Sequence, residues 1–540
     1  MGEDVVGGAD FHDFPLFHYR RAVGDVAHHR QVMGYEEVRK LQPVPKVHEE
    51  VQHLGLYGHV QGRRRFIKDK DFRLRHEGAS DGNALPLAAG EPGAVFPDQG
   101  MVAVRQLGYK GVALRRLRRR QHLLVGGVQT AVADVLHHRA GEQVGVLQHD
   151  AQRAAQVGFF DFMDIDERKL NIVGGLCQRM IKAAGLPCET RLILNDYETA
   201  LRDSDFVLAQ IRVGKLPARV KDEKIPLKYN LIGQETCGIG GMFKGLRTIP
   251  VMMNIVKMME KYCPNAWLIN FSNPSGMIAE ALLNYTNVKM MGLCNVPINT
   301  IDSIKKGMNL PNAKIEYMGL NHFAYITKIE QDGKDYLQEA IESGFNSATM
   351  KNIPTSGFTK EQIEVIGAIP TCYLEYYYFK NSKLEKLKNS PKTRGEVCME
   401  IEEELLKIYQ DNELHVKPAQ LSKRGGARYS EVAINLVDSI WNDKQDVQVV
   451  NVLNKGAIPF LRDNDAVEIC AVIGKDGAKP LPLEGKVNDH IKEYIQQVKA
   501  YEKHAVKAAI NGDKKEAMRA LMSNPLVADL QTASDCFDEL

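Results

Sequence analysis

Short apolar runs alternate with segments of helical periodicity between residue 159 and about residue 300. In "ERKLNIVGGLCQRMIKAAG" (167–185) and "GLRTIPVMMNIVKMMEKYC" (245–263), apolar side chains recur at the spacing of one helix face. The apolar runs have the length of buried strands and read "FFDFMDID" (159–166), "SDFVLAQIRVG" (204–214), "NAWLINFSNPSG" (265–276) and "VKMMGLCNVP" (288–297). This alternation predicts a parallel β-sheet covered by helices.

Each apolar run ends in a polar cluster: "DIDE", "IRVG", "NFSNPSG" or "CNVP". Because ligands of such sheets bind at the carboxyl ends of the strands, we expect the functional site at this edge. An acid that ends the second strand of a dinucleotide-binding sheet holds the ribose hydroxyls, which makes Asp164 the candidate for cofactor binding. The sequence equally allows Asp164 to cap the helix that follows.

A glycine-rich turn for the cofactor pyrophosphate should lie roughly 20 residues before that acid. No G-x-G-x-x-G motif occurs there. The stretch "LLVGGVQTAVADVL" places Gly126 and Gly127 ahead of a helix-like segment, but they lie 38 and 37 residues before Asp164. We interpret this stretch as unrelated to cofactor binding.

The chain before residue 159 has a different composition from the rest. It contains 17 Arg against 5 Lys and a single Ile, Asn and Thr, whereas all nine cysteines lie at or after Cys177. The run "RRLRRR" (115–120) could bind phosphate, but we interpret it as a consequence of the Arg-rich composition. We predict that residues 1–158 are an unrelated, non-native or disordered segment of unknown or no regular fold.

The totals exclude several classes of protein. A net charge of +2 does not favour nucleic-acid binding, and no apolar stretch approaches the roughly 20 residues that cross a bilayer. The start, "MGEDVVGGADFHDF", lacks the apolar core of a signal peptide. An odd number of cysteines without a C-x-x-C pair indicates neither a disulfide framework nor a zinc ribbon. We therefore expect a reduced, cytoplasmic protein.

Two residues at predicted strand ends suggest a metal site. Cys294 in "CNVP" could be a small core residue, a nucleophile or a metal ligand, and His322 in "GLNHF" follows another predicted strand. A soft thiolate with an imidazole suits a divalent transition ion and would leave positions open for substrate oxygens. The segment "YLEYYYF" (373–379) adds four tyrosines, most of which we assign to the core; a Tyr becomes a base only where positive charge lowers its pKa.

From about residue 159 onward the chain resembles glycoside hydrolase family 4, and in particular its 6-phospho-β-glucosidase branch. The resemblance is carried in order by "DIDERKLNIVGGL", "IRVGKLPARVKDEKIPLKYNLIGQETCGIGG", "INFSNPSGM", "GLCNVPI", "GLNHF", "YLEYYY", "TRGEVCMEIEEELL" and "KRGGARYS". "CNVP" is similar to the phospho-β-glucosidase form, whereas α-specific members carry an acid after the cysteine.

The resemblance implies an α/β fold in two parts. A doubly wound, Rossmann-like NAD domain (159–298) would lack its usual first strand, and an α+β domain like that of lactate and malate dehydrogenases (299–540) would hold substrate and metal. The missing strand, glycine turn and first helix would leave two unpaired inner edges in the sheet and weaken NAD binding.

The family reaction, by the same resemblance, is the hydrolysis of phosphorylated β-glucosides through redox steps rather than through two carboxylates. NAD⁺ takes hydride from C3, a divalent metal, usually manganese, stabilises the enolate, and a base removes the C2 proton. The aglycone leaves by elimination, water adds to C1 and the hydride returns to C3. The family assembles as homodimers or homotetramers.

The resemblance also assigns roles to individual residues. Cys294 and His322 match the metal ligands, Tyr373 the base and Glu235 the residue that raises its basicity. Substrate-binding positions are matched by Arg219, Asn273, Asn295 and Arg394, of which Arg394 suits a sugar phosphate. Asn295 cannot act as a strong acid, so the leaving-group acid stays open.

Two other functions remain possible from the sequence. An NAD-dependent dehydrogenase of small hydroxy acids shares this architecture, but it would release NADH and would not need the Cys–His pair. A non-catalytic remnant would keep only substrate or partner binding.

Overall fold

The structure is a computed structural model. It describes residues 159–183, 189–345, 357–424, 428–527 and 529–540, together with four short strands before residue 159. Those strands are β1 (Leu87–Ala89), β2 (Gly100–Ala103), β3 (Gln121–His122) and β4 (Gln156–Val157). The remainder of the predicted N-terminal segment, including "RRLRRR" and Gly126–Gly127, lies outside the described residues.

Five strands of the next part form the predicted parallel arrangement. They are β5 (Phe159–Asp164), β6 (Glu189–Leu194), β7 (Phe206–Ala209), β8 (Trp267–Asn270) and β9 (Lys289–Gly292). Strand β5 pairs with β6, and β7 pairs with β8 and β8 with β9, all parallel. Each of the four predicted apolar runs is therefore a strand of this sheet.

Helices connect these strands, as the periodicity predicts. Helix α1 consists of Glu167–Lys169, a π-helical turn Leu170–Gly174 and Gly175–Ala183. The others are α2 (Tyr197–Leu201), α3 (Lys215–Lys228), α4 (Gly238–Tyr262), α5 (Ser275–Tyr285) and α6 (Val296–Gly307).

Helix α1 packs on the sheet with the face that its sequence predicts. Its five predicted apolar positions are all buried: Leu170, Val173, Leu176, Met180 and Ile181. At Gly174 a Cβ atom would lie 2.3 Å from the Leu192 side chain on β6. Glycine at this position therefore lets the helix approach the sheet closely.

The centre of the sheet differs from our expectation. In place of two unpaired inner edges, β2 lies between β5 and β7 and pairs antiparallel with both, through Gly100 with Asp164 and Met101 with Ala209. The usual first strand would run parallel to these neighbours. The predicted lack of that strand agrees with the described residues, but the gap that it leaves is covered by a short strand of opposite direction.

The second half of the chain supplies antiparallel strands. They are β10 (Lys314–Leu320), β11 (Phe323–Gln331), β12 (Lys334–Asp335), β13 (Ile369–Pro370), β14 (Asp446–Leu453), β15 (Ala466–Gly474) and β16 (Gly477–Pro480). They pair antiparallel, β15 lying between β10 and β14. The predicted α/β domain followed by an α+β part is confirmed by this change of strand direction.

Helices of this half cover the antiparallel strands. They are α7 (Leu337–Glu342), α8 (Lys360–Ile366), α9 (Glu375–Tyr378), α10 (Lys380–Lys388), α11 (Arg394–Tyr409), α12 (Tyr429–Trp441), α13 (Asp489–Asn511), α14 (Lys514–Ser523) and α15 (Leu530–Glu539). Two 3₁₀ turns, Cys372–Leu374 and Ala419–Lys423, precede α9 and α12. No helix in the described ranges has the length and apolar character to cross a membrane.

The two halves join in one sheet. Gly292 of β9 pairs with Asn451 of β14, so the parallel strands continue directly into the antiparallel ones. The larger hydrophobic core includes side chains of both parts. The predicted boundary between residues 298 and 299 falls in α6, and the division at that point stays a prediction.

Candidate active site

The β10–β11 hairpin carries His322 in a two-residue turn. Leu320 and Phe323 pair as the last and first residues of the strands, so only Asn321 and His322 form the loop. His322 has a φ of 64°, a left-handed conformation that costs a non-glycine residue about 1–3 kcal/mol. Such strain is concentrated at functional sites, because surrounding contacts must hold it in place.

Cys294 lies against the edge of the His322 ring. It follows β9 by two residues, and its Sγ is 3.6 Å from Nε2 of His322. The backbone N–H of Val296, in the first turn of α6, donates to the same sulfur at 3.5 Å. Usual zinc distances are about 2.3 Å to sulfur and about 2.1 Å to nitrogen, so the separation fits one metal ion held by both atoms.

The protonation of this pair agrees with metal binding. Burial lowers the pKa of His322 to about 3, so its imidazole is neutral and has a lone pair for a metal. Burial raises the pKa of the Cys294 thiol, and a nearby cation would be needed to favour the thiolate. In the described part of the chain, no group of three or more His, Cys, Asp or Glu side chains that could hold a metal ion is found.

Tyr373 stacks on the face of the same imidazole. Its ring centroid is 3.8 Å from that of His322 and the planes differ by 15°. The 3₁₀ turn Cys372–Leu374 positions it. Burial raises the pKa of Tyr373 well above its usual value, with the Cys294 thiol adding to the rise. The tyrosine can act as a base only if a positive charge beside the ring opposes this effect.

Glu235 is the centre of a buried ion network. It accepts from the side chains of Arg212 and Lys244, and from Arg219 Nη1 at 2.6 Å. These cations hold the pKa of Glu235 well below its usual range, although burial alone would raise it. Burial lowers the pKa of Lys244 to about 7. The charges of Glu235 and Lys244 also act on His322, which places the network beside the Cys294–His322 pair.

Two arginines, Arg219 and Arg394, make further hydrogen bonds near this network. Arg219 donates to Glu223 at 2.7 Å, and Arg394 donates to the backbone carbonyls of Lys423 and Arg424 at 3.1 and 2.6 Å. Glu223 also accepts from the backbone N–H of Gly395 at 2.6 Å, so Arg219 and the residue after Arg394 share one carboxylate. Burial lowers the pKa of Arg424, and the charges of Arg219 and Arg394 lower it further.

Arg424 is the residue that sequence reasoning missed. Its side chain is 1% exposed, yet Nε and Nη2 have no hydrogen-bond partner among the described residues. An unpartnered buried guanidinium is costly unless an anion meets it. The one available signal was its position in "KRGGARYS", a segment that the resemblance included without assigning a role.

The two candidate amides lie where strands end. Asn273 is half-buried and lies just before α5. A cis peptide bond joins it to Pro274. Asn295 is buried at the start of α6, next to Cys294, where its carbonyl accepts from the Asn299 side chain at 2.6 Å. Both are at the predicted edge, although no direct contact with the Cys294–His322 pair is resolved for Asn273.

Asp164 ends β5 as predicted, but it does not cap the helix. Its Oδ1 accepts from the backbone N–H of Asp166 at 2.8 Å, whereas Asp166 is the N-cap and accepts from Lys169 N at 3.1 Å. The N-cap alternative for Asp164 is therefore wrong. Burial raises the pKa of Asp164 well above its usual value. Its place at the carboxyl edge suits a ribose, but a glycine-rich turn beside it is not among the described residues.

Comparison with known proteins agrees with this arrangement. A model of the family 4 glycosyl hydrolases matches residues 142–310, and a model of their C-terminal domain matches residues 317–527. The first match begins 17 residues before the predicted start at residue 159, in a stretch that lies mostly outside the described residues.

Named relatives are similar over most of their length. A probable 6-phospho-beta-glucosidase of Bacillus subtilis (strain 168) is 45% identical over 383 residues, which are 69% of this chain and 86% of the relative. The 6-phospho-beta-glucosidase of Escherichia coli (strain K12) is 40% identical, over 66% of this chain and 82% of its own.

A solved structure shares the fold. The 6-phospho-beta glucosidase of Thermotoga maritima, crystallised with manganese, NAD⁺ and glucose-6-phosphate, superposes with a TM-score of 0.63 at 34% identity, over 70% of this chain and 89% of its own. The chain therefore belongs to family 4 of the glycosyl hydrolases and groups with the relatives named 6-phospho-β-glucosidases.

Proposed function

We propose that this chain hydrolyses 6-phospho-β-glucosides with NAD⁺ and Mn²⁺ as cofactors. The observation that carries the proposal is the contact of Cys294 with His322, with Tyr373 stacked on the same imidazole. A relative of the same family was solved with manganese, NAD⁺ and glucose-6-phosphate, which supports the choice of cofactors. A simple hydroxy-acid dehydrogenase would have no use for a thiol and an imidazole placed in this way.

The proposed chemistry divides between cofactors and protein. When bound, NAD⁺ would supply reversible oxidation at C3 of the sugar, and Mn²⁺ would polarise the resulting carbonyl. Cys294 and His322 would hold the metal, and Tyr373 would remove the proton from C2. Tyr373 is stacked on His322, and a cation held by that imidazole would oppose the rise in the pKa of Tyr373.

Glu235 has an electrostatic role in this proposal. Its carboxylate stays ionised because three cationic side chains meet it. We assign it the task of raising the basicity of Tyr373. This assignment comes from the family resemblance and is supported by the effect of Glu235 on the adjacent His322.

The arginines bind the phosphorylated sugar. Arg219 and Arg394 were predicted for substrate binding, and Arg424 joins them because its buried guanidinium lacks a partner in the described chain. Guanidinium groups match phosphate oxygens in a fork, so Arg394 and Arg424 suit the 6-phosphate. Asn273 contributes a neutral polar group to the sugar.

Two further residues refine the proposal. Asn295 stands where α-specific family members carry an acid, and relatives named 6-phospho-β-glucosidase are 40–45% identical, which together favour β-linked substrates. Asp164 is proposed to bind the NAD ribose, at the edge where the strands end.

A release assay tests the proposal. The protein is incubated with a chromogenic phospho-β-glucoside, NAD⁺ and Mn²⁺, and both aglycone and NADH absorbance are followed. Any aglycone release should need both cofactors and give no net NADH, because the cofactor is regenerated in each cycle, and its rate should be low because the usual first strand and glycine turn are missing from the described residues. Net NADH would favour the dehydrogenase, and a preference for the matched phospho-α-glucoside would contradict β specificity.

We also propose a reducing, cytoplasmic setting and a homodimer or homotetramer. Support for the first comes from the sequence, which has an odd number of cysteines and no C-x-x-C pair. The assembly is inferred from the family and is checked by light scattering of the purified protein.

A further inference from the structure

A buried carboxylate lies behind the proposed metal ligands. Glu468 is 1% exposed and stands on β15, where it is the register partner of Gly319 on one side and Asn451 on the other. It is therefore at the point where the strand that leads to His322 and the strand that pairs with β9 meet.

Three donors surround this carboxylate. The hydroxyl of Tyr317 donates to Oε2 at 2.9 Å, and the side-chain amides of Asn321 and Asn451 donate to Oε1 at 2.8 and 3.1 Å. Burial raises the pKa of Glu468 to about 7, so above neutral pH the carboxylate is ionised and only accepts, which orients each of these groups with its hydrogens inward. The orientation of both amides is thus set by Glu468.

Two of the three donors lead to the proposed metal ligands. Asn321 is the other residue of the tight turn that contains His322, and its side chain also hydrogen-bonds the Cys294 thiol. Asn451 pairs with Gly292, two residues before Cys294. A Cβ at Gly292 would lie 2.8 Å from the Asn451 side chain, which shows how closely the strands approach there.

We propose that Glu468 is a positioning residue of the metal site, acting through Asn321 on both Cys294 and His322. This inference deepens the proposed function and rests on it. The Nδ2 group of asparagine carries two hydrogens, and with one bound by Glu468 the other points at the sulfur. Glu468 thereby fixes the direction of the thiolate lone pairs and the turn that holds the imidazole.

Glu468→Gln tests the proposal with little change in volume. The new amide can turn its N–H group towards the Tyr317 hydroxyl, which can accept, and its neutral oxygen then holds Asn321 by a weaker hydrogen bond than the charged carboxylate does. Groups that orient metal ligands typically contribute 10–100-fold to metal affinity. We expect the dissociation constant of Mn²⁺, measured by electron paramagnetic resonance with the metal alone, to rise by about 10–100-fold.

A spectroscopic measurement separates positioning from general damage. Co²⁺ added to the full chain should give a thiolate-to-cobalt absorption band that Cys294→Ser abolishes and Glu468→Gln shifts or weakens. The matched control is Asp161→Asn, which changes another fully buried carboxylate, on β5, bound by Arg191 at 2.7 and 2.9 Å. It should leave the band and the Mn²⁺ affinity unchanged.

The outcomes distinguish the two proposals. If the wild-type chain binds Co²⁺ without a thiolate band, the metal assignment in the proposed function fails. If the wild type shows the band and Glu468→Gln keeps both the band and the Mn²⁺ affinity, the positioning role is overturned. An equal loss in Asp161→Asn would also overturn it, because any buried carboxylate would then have the same effect.

Discussion

Two side chains meet the imidazole of His322, each in a different way. Cys294 approaches the edge of the His322 ring at Nε2, and Tyr373 covers its face. A change at the edge should therefore affect metal binding, whereas a change at the face should affect proton transfer. The two substitutions that follow use this difference.

Cys294→Ser should remove Mn²⁺ binding and Mn²⁺-dependent activity with little effect on folding. The change replaces a soft ligand by a weak, hard one and hardly alters the volume of a residue that is 5% exposed. Metal titration and thermal unfolding give the two readouts. Cys536→Ser, at another fully buried cysteine, is the control and should keep its metal affinity. An unchanged Mn²⁺ affinity in Cys294→Ser would contradict the assignment.

Tyr373→Phe should abolish turnover and spare substrate binding, since the ring still stacks on His322. A general base contributes roughly 100-fold or more, so kcat should fall at least that far while the affinity for glucose 6-phosphate is kept. Tyr376→Phe, three residues along and also buried, is the matched control and should retain its rate. More than about a tenth of wild-type turnover in Tyr373→Phe would indicate another base.

Arg424→Met should weaken phosphate binding and raise the thermal stability of the free protein. Removing a buried guanidinium without partners for Nε and Nη2 relieves a desolvation cost, but it also removes charged hydrogen bonds of about 1.5–3 kcal/mol to a phosphate. Glucose 6-phosphate titration and the unfolding midpoint measure both effects.

The control for this prediction is a structural arginine. Arg179 donates to the carbonyls of Leu414 and Tyr409 at 2.9 and 2.8 Å, so Arg179→Met should lower stability and leave phosphate affinity unchanged. A loss of stability in Arg424→Met with full phosphate affinity would show that Arg424 is structural as well.

At the residue scale, the sequence predicted those candidate residues that lie just after a strand. Cys294 and His322 follow apolar runs, and a thiol and an imidazole at two strand ends suggested the contact that the structure shows. Arg424 could not be found in this way, because its candidate role follows from its burial and from the missing hydrogen-bond partners of Nε and Nη2, which only the structure shows. The N-cap of α1 is a similar case: the sequence allowed Asp164 in this role, and only the geometry shows that Asp166 accepts from the Lys169 N–H group instead.

At the scale of elements, the β10–β11 hairpin decides where the imidazole stands. Gly319, one residue before the last of β10, has a φ of 145°, and a Cβ there would lie 2.4 Å from the carbonyl oxygen of Phe323 and 2.7 Å from Cα of Ala324. Both are backbone atoms that cannot move without shifting the turn. Gly319→Ala should therefore cost about 3 kcal/mol of unfolding free energy and weaken Mn²⁺ binding.

A second hairpin supplies the control. Gly333, between β11 and β12, also has a positive φ, of 80°, but a Cβ there meets nothing within 4 Å. Gly333→Ala should thus lower the free energy of unfolding by only about 1 kcal/mol and keep the Mn²⁺ affinity. Denaturant unfolding and metal titration compare the pair, and equal losses of metal affinity would show that the Gly319 contact does not position the turn.

Local patterns predicted the elements themselves but not every pairing. The four runs between residues 159 and 297 were long enough to be recognised, and the α1 face followed from its spacing. Strand β2 is only four residues long, so periodicity could not reveal it. Its antiparallel direction depends on pairing with strands more than 50 residues away, which no local pattern contains.

At the scale of the whole molecule, the site is assembled by pairing between distant parts of the chain. The link from Gly292 to Asn451 and on to Glu468 joins strands separated by more than 150 residues. Each member looks ordinary in its own segment, and only the common sheet brings them behind the metal ligands. The candidate ligands were therefore predictable from sequence, but the groups that hold them were not.

The last prediction concerns NAD⁺ binding by the whole chain. Strand β2 runs antiparallel to its neighbours, and its first residue, Gly100, is the partner of Asp164. The amino end of β2 thus lies at the edge where a parallel first strand would deliver its carboxyl end, its glycine turn and a helix N-terminus to the pyrophosphate.

We expect isothermal titration to detect little or no NAD⁺ binding, and the release assay to show little activity. Replacing residues 1–158 by the first strand, glycine turn and first helix of the Bacillus subtilis relative should restore both, while Mn²⁺ binding at Cys294 and His322 should be equal in the two chains. Micromolar NAD⁺ affinity in the unaltered chain would contradict this prediction, and it would mean that residues before 159 hold the pyrophosphate by a route other than a parallel strand and its turn.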